Sequence, residues 1–239
     1  MMKKILLFCC LIINMIPITI AFAEEPVRIK CGNFTMNTPT TNIHCYQIDD
    51  NIPMEEGASE EELAKAQVAN TAIYFSDMES ISSSIAPQVT FYRIDDLGKT
   101  SFDLLDISMT LNDFLNNLSS GYNDISEYYN SVPFLPFQAK SQQATGLAEQ
   151  LDFEGGTGIR TITVFDDKVF ASSGLSNLYY SYQGISSDGV WYVSAVFPLT
   201  SNSLNETDTS NTNWEYLTGD DFRPSLDQLD FYIRSIVIE

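Results

Sequence analysis

The sequence predicts an α+β fold, a largely antiparallel sheet flanked by helices, with a disulfide-closed β-hairpin near the N-terminus. Three observations carry this expectation. Apolar residues recur at helical spacing in the middle of the chain and again near its end. From Gly155 the pattern changes to β-branched and aromatic runs separated by Asp, Ser and Gly. Two cysteines, Cys31 and Cys45, flank a turn-rich stretch. Strands, helices, strands and a last helix, in that order, favour pairing between neighbouring strands. No repeat at a fixed period is visible.

Residues 1–23 have the three-part build of a cleaved secretory signal. Lys3 and Lys4 give a positive start, an apolar run follows over residues 5–20, and Ala21-Phe22-Ala23 offers small residues to a peptidase. The run contains Asn14 and Pro17 and falls short of the roughly 20 apolar residues a membrane span needs. Cleavage after Ala23 leaves residues 24–239 and removes Cys9 and Cys10. Glu24, not a cysteine, then comes first, so the expected product is secreted or periplasmic and carries no lipid.

Residues 27–36 read as a strand, 37–41 as a turn around Pro39, and 42–48 as the returning strand. That pairing brings Cys31 and Cys45 within bridging reach, and a bridge closing about 15 residues is worth about 3 kcal/mol. A metal site built on the same cysteines would have to use His44, the chain's one histidine, and lacks further ligands. The expected organisation is therefore a signal peptide (1–23), a disulfide hairpin (24–50), a linker with Pro53 and Gly57 (51–59) and an α+β domain (60–239).

Ser59 and Glu62 form a capping box for a short helix to about Gln67. Residues 88–94 alternate as a strand, and Asp95-Asp96-Leu97-Gly98 reads as a turn. Leu111, Phe114, Leu115 and Leu118 make one apolar helical stripe that stops at Gly121, and Ile125, Tyr128 and Tyr129 repeat it briefly. Pro133 and Pro136 break the chain, and Ala144, Leu147, Ala148 and Leu151 predict a second helix. Residues 159–165, 178–184 and 190–197 are strands, with turns at Asp166-Asp167 and Ser187-Asp188-Gly189. Gly155-Gly156-Thr157-Gly158 opens a strand rather than a helix, so it is a bend for close backbone approach and not a phosphate cradle. After a polar loop (201–213), Pro224 leads into a helix with Leu226, Leu229 and Ile233, and the chain ends apolar.

Two segments resemble known families. The run Phe34 to Cys45, with Thr38-Pro39 and Asn42-Ile43-His44-Cys45, resembles a Thr-Pro-Ser-Gly-Asn-Ile-x-Cys hairpin found in bacterial secreted proteins, here with Thr40-Thr41 in place of Ser-Gly. It implies a structural bridge. Gly156-Thr157-Gly158-Ile159-Arg160, then Tyr180-Ser181-Tyr182-Gln183-Gly184-Ile185-Ser186-Ser187-Asp188-Gly189 and Tyr192-Val193-Ser194-Ala195, resemble an uncharacterised family of bacterial secreted proteins and lipoproteins. That family carries a Gly-x-Gly-x-Arg strand and a Tyr-x-Phe-Gln-Gly-Leu-Thr-x-Asp-Gly hairpin. Tyr182 stands where the family has Phe. The resemblance implies export and no assigned activity.

Chemistry is sparse in the sequence. A net charge of −20, −22 once Lys3 and Lys4 leave, repels phosphate backbones, and no basic cluster makes an exception. There is no Gly-x-Ser-x-Gly elbow and no Ser-x-x-Lys pair, and a single histidine beside a disulfide is a poor base. Four acidic pairs, Asp49/Asp50, Asp95/Asp96, Asp166/Asp167 and Asp220/Asp221, lie at expected turns without calcium-loop spacing. Tyr179, Tyr180, Tyr182, Trp191 and Tyr192 lie on adjacent strands; alternation sends some to the core, and an outward row of Tyr180, Tyr182, Trp191 and Tyr192 would hold a sugar or peptide. Asn33, Asn117 and Asn205 open glycosylation sequons that matter only in a eukaryotic secretory route. The expectation is a non-enzymatic binding or accessory module for a protein or saccharide. It has no catalytic residues, metal, cofactor, nucleic-acid partner or stable membrane insertion. The alternative is a carboxylate-based, calcium-assisted hydrolase, which a cluster of buried carboxylates in a cleft would favour.

Overall fold

The computed structural model describes residues 26–39, 42–53, 67–78, 86–122, 124–130, 142–165, 178–201, 203 and 214–239. The chain opens with β1 (Val27–Cys31) and β2 (Phe34–Thr38), an antiparallel hairpin closed by Gly32-Asn33. Gly32 has φ +60°, a conformation that suits a residue without a Cβ and permits so tight a turn. Next come β3 (Ile43–Ile48), β4 (Asn70–Phe75) and β5 (Gln88–Arg93). Two helices follow, α1 (Ile94–Thr100) and α2 (Phe102–Ser119), the second capped by the Ser101 hydroxyl, which accepts from the Asp103 amide. Four long strands come next: β6 (Gln142–Phe153), β7 (Gly156–Phe165), β8 (Leu178–Ser186) and β9 (Trp191–Pro198). The chain closes with β10 (Thr200–Ser201), β11 (Phe222–Arg223), α3 (Leu226–Arg234) and β12 (Val237–Ile238).

A seven-stranded sheet in the order β3-β4-β5-β9-β8-β7-β6, antiparallel at every pairing, forms the middle layer. Alternation along each strand feeds two cores. On one face Phe91, Ile162, Tyr180 and Phe197 pack against α3 and against β1, β2 and β12, which form a small sheet of their own. On the other, Ile159, Ile185 and Tyr192 pack against Leu104, Ile107, Leu111, Phe114 and Leu115 of α2. Every residue of β8 is buried because it is covered on both faces. The N-terminal hairpin belongs to this packing: the Phe34 ring stacks on Phe91 with centroids 3.8 Å apart.

The α+β class, the flanking helices and the Cys31–Cys45 disulfide of the N-terminal hairpin region follow the sequence. Its strand pairing differs. Gly32 splits the expected 27–36 strand into β1 and β2, and β3 turns away to pair with β4 along six positions. The disulfide, with Cα atoms 5.7 Å apart, therefore ties the small sheet to an edge of the large one. The second predicted helix is also corrected. Ala144, Leu147, Ala148 and Leu151 lie on β6, where nine pairings with β7 override a helical spacing that arose by coincidence. Register shifts within this strand displace its alternation, which is why its apolar residues fail to show a period of two. Asp95-Asp96-Leu97-Gly98 is part of α1 rather than a turn. Its acids stand in the first turn, complementing the helix dipole, and Lys99 pairs with Asp96 at 2.7 Å.

The signal segment, most of the capping-box helix, Pro133-Pro136, Asp166-Asp167 and nearly all of the polar loop lie outside the described residues. No helix among the described residues is long and apolar enough to cross a membrane.

Candidate functional site

Charged residues in a strand buried on both faces must find partners, and Arg160 on β7 is such a residue. Its neighbour across β6 is Glu149 and its neighbour across β8 is Tyr182. The β6–β7 pairing slips between Gly146 and Glu149, and Leu147 in that slip has φ +53°, a strained conformation for a side chain with a Cβ. The distortion places the Leu147 carbonyl where it accepts from Arg160 Nη1 at 2.8 Å. From above, α3 presents Asp227, Asp230, Phe231 and Arg234, spaced i, i+3, i+4 and i+7, along one helical face. Between this face and the β6–β7 edge lies a cleft of about 460 Å³, whose apolar walls come from Leu147, Leu217, Leu226 and Phe231.

One ion network forms its charged floor. Arg160 Nη2 is bonded to the Glu149 carboxylate and lies 3.5 Å from Asp230 Oδ2. The Tyr180 hydroxyl donates to Asp230 Oδ1 at 2.8 Å, and Arg234 Nη2 lies 3.4 Å from Glu149 Oε1. Arg160 and Asp230 are almost enclosed, whereas Glu149 and Arg234 are half-exposed. Burial pushes the Asp230 carboxyl above its ordinary value, opposed by the Arg160 charge and the Tyr180 hydrogen bond. The Tyr180 hydroxyl is pushed well up, first by burial and then by the negative charge of Asp230. Among the described residues Arg160 Nε is buried without an acceptor, an unmet donor that costs about 1–3 kcal/mol. A strained backbone, an unmet donor and a desolvated carboxyl beside one cleft single out this place in the fold.

The aromatic residues singled out from the sequence belong to the interior. Tyr180, Tyr182 and Tyr192 have no exposed surface, and Trp191 is half-buried, edge-on to Phe34 and beneath the Arg93 guanidinium. The Tyr182 hydroxyl donates to the Leu151 carbonyl at 3.1 Å, and that of Tyr192 bonds Gln183, which itself donates to Tyr128. None of the four lines the cleft; Tyr180 lies beneath it and donates to Asp230, which does. Of the acidic pairs, Asp49/Asp50, Asp95/Asp96 and Asp220/Asp221 do not line the cleft, and Asp166/Asp167 falls outside the described residues. Asp96 bonds Lys99 and is held low by it, and Asp221 is held low by hydrogen bonds from Ser203 and Thr218. Among the described residues no group of three or more His, Cys, Asp or Glu is arranged to hold a metal ion.

Arg160, Glu149, Asp227, Asp230 and Arg234 were not sequence candidates, yet one signal each pointed to Arg160 and to Asp230. Arg160 is the one charge in the run Gly158-Ile159-Arg160-Thr161-Ile162-Thr163-Val164, and it ends the Gly-x-Gly-x-Arg motif. Asp230 occupies the i+4 position of the stripe Leu226, Leu229, Ile233, a core position given to an acid. Two opposite charges on buried faces are natural partners. Comparison of the chain with protein-family models, curated proteins and solved structures gives no match.

Proposed function

We propose that this protein is a secreted or periplasmic binding or accessory module, without catalytic activity, that holds part of a protein or saccharide ligand in the cleft between β6–β7 and α3. The observation that carries this reading is the state of the cleft's charges. Asp230 is held by Arg160 and Tyr180, and Glu149 by two arginines, so neither carboxylate stands free to move protons. The partnered charges of the floor, between apolar walls, make a rigid recognition surface. The strong negative charge supports a partner other than nucleic acid. The disulfide and the resemblance to bacterial exported proteins support the compartment.

A hydrolase is the second reading, and the raised Asp230 carboxyl in a cleft favours it. The two are separated by screening oligosaccharides and peptides with amide-resolved NMR while assaying their cleavage. A binding module shows shifts confined to β6, β7 and α3 and no turnover. Turnover that is lost in Asp230→Asn would establish the hydrolase. For the compartment, N-terminal sequencing of exported protein should begin at Glu24, and material beginning at Met1 would refute processing.

A further inference from the structure

We infer that the cleft's ligand is an organic cation with an apolar stem, an aliphatic ammonium or guanidinium, seated between Asp227 and Phe231. This deepens the proposed function and rests on it. The anionic groups of the floor are neutralised in place by Arg160 and Arg234. Asp227 is different: it is exposed, lines the cleft, and its carboxylate has no hydrogen bond or ion pair among the described residues. Its carboxylate lies beside Gly219, a position without a side chain, which leaves it uncovered. One helical turn on, Phe231 stands on the same face of α3 and is 43% exposed, a large ring left in water at the cleft rim. A carboxylate and an aromatic face one turn apart suit a cation, since the ring's negative face and the acid attract the same charge.

Opposite them, Leu147 and Leu217 offer apolar contact to a stem. The surplus negative charge of the chain draws cations toward the site and repels anions. An anionic ligand would have to displace Glu149 or Asp230 to reach the enclosed Arg160. The cation's source is either a small free amine or a Lys or Arg side chain of a peptide.

The test is an amide-resolved NMR titration of the full exported chain with hexylammonium, hexanol and hexanoate. A second arm uses a blocked Ala-Lys-Ala peptide and its Ala-Gln-Ala counterpart. Hexylammonium and the lysine peptide should shift amides of residues 226–234 at lower concentration than their neutral or anionic counterparts. Tighter binding of the peptide than of hexylammonium identifies a protein source, and the reverse a free amine. Asp227→Asn and Phe231→Leu, both at exposed positions, should each raise Kd about fivefold. Asp113→Asn, the same charge change on α2 across the sheet, should leave it unaltered. Equal binding of hexanol or hexanoate would overturn the cation while leaving a ligand cleft in place. Silence of these amides with every probe would overturn the inference, and the oligosaccharide and peptide screen would then decide the cleft reading separately.

Discussion

Replacing Arg160 with Met keeps the length of the side chain and removes its charge. Asp230, whose side chain is 12% exposed, is then left with the Tyr180 hydrogen bond and the weaker influence of the Arg234 charge. Removing one member of an enclosed ion pair typically costs about 3–5 kcal/mol, because the other charge stays behind without compensation. For a chain of this length each kcal/mol lowers Tm by about 2–4 °C, so Arg160→Met should melt about 6–20 °C below the parent. Glu149 adds little to the loss, being half-exposed and still paired with Arg234. The loss should also depend on pH. The Arg160 charge lowers the Asp230 pKa against burial, so without it the carboxyl rises further. The folded variant then favours the protonated acid more than the parent does, and its deficit relative to the parent should widen as pH climbs from acid to neutral. Thermal melts at several pH values measure this directly. Arg160→Met/Asp230→Leu removes both charges and should recover most of the stability. A single variant within 1 kcal/mol of the parent, or a double variant no better than the single, would refute the coupling.

Three further outcomes follow from the same structure. Cys31→Ala/Cys45→Ala should lose about 3 kcal/mol in denaturant unfolding, since the bridge spans 14 residues and joins two sheets, and native protein should show no reactive thiol. Asp230 has a folded pKa above its unfolded value, so its contribution is full below about pH 3.9 and is lost as pH rises through the raised value; the parent-minus-Asp230→Asn stability difference should fall over that interval, and a flat difference would contradict it. Gly158→Ala should destabilise by about 1–3 kcal/mol in the same unfolding assay, because a Cβ there would come closer than 3.0 Å to the Gln183 carbonyl, which the sheet holds in place.

The elements that sequence patterns revealed are those whose burial follows a single period. The stripe Leu111, Phe114, Leu115, Leu118 on α2 and the fully buried β8 answer to one neighbour on each face, so local spacing carries the message. On β6 the message failed. A strained Leu147 and two register slips destroy the alternation, and only the ladder with β7 reveals a strand. The disulfide partners were legible because just two cysteines follow the expected signal segment, whereas the sheets they join were not, since β3 leaves the hairpin for a partner 22 or more residues away. The charged floor of the cleft shows the same division. The sequence by itself determined that Arg160 and Asp230 each sit where an apolar residue belongs, one in a strand and one on a helix stripe. Only tertiary structure decided that these two, 70 residues apart, meet each other. A buried charge announces its need for a partner through local pattern, but which partner satisfies it depends on the packing of α3 across the sheet, a contact no local period encodes.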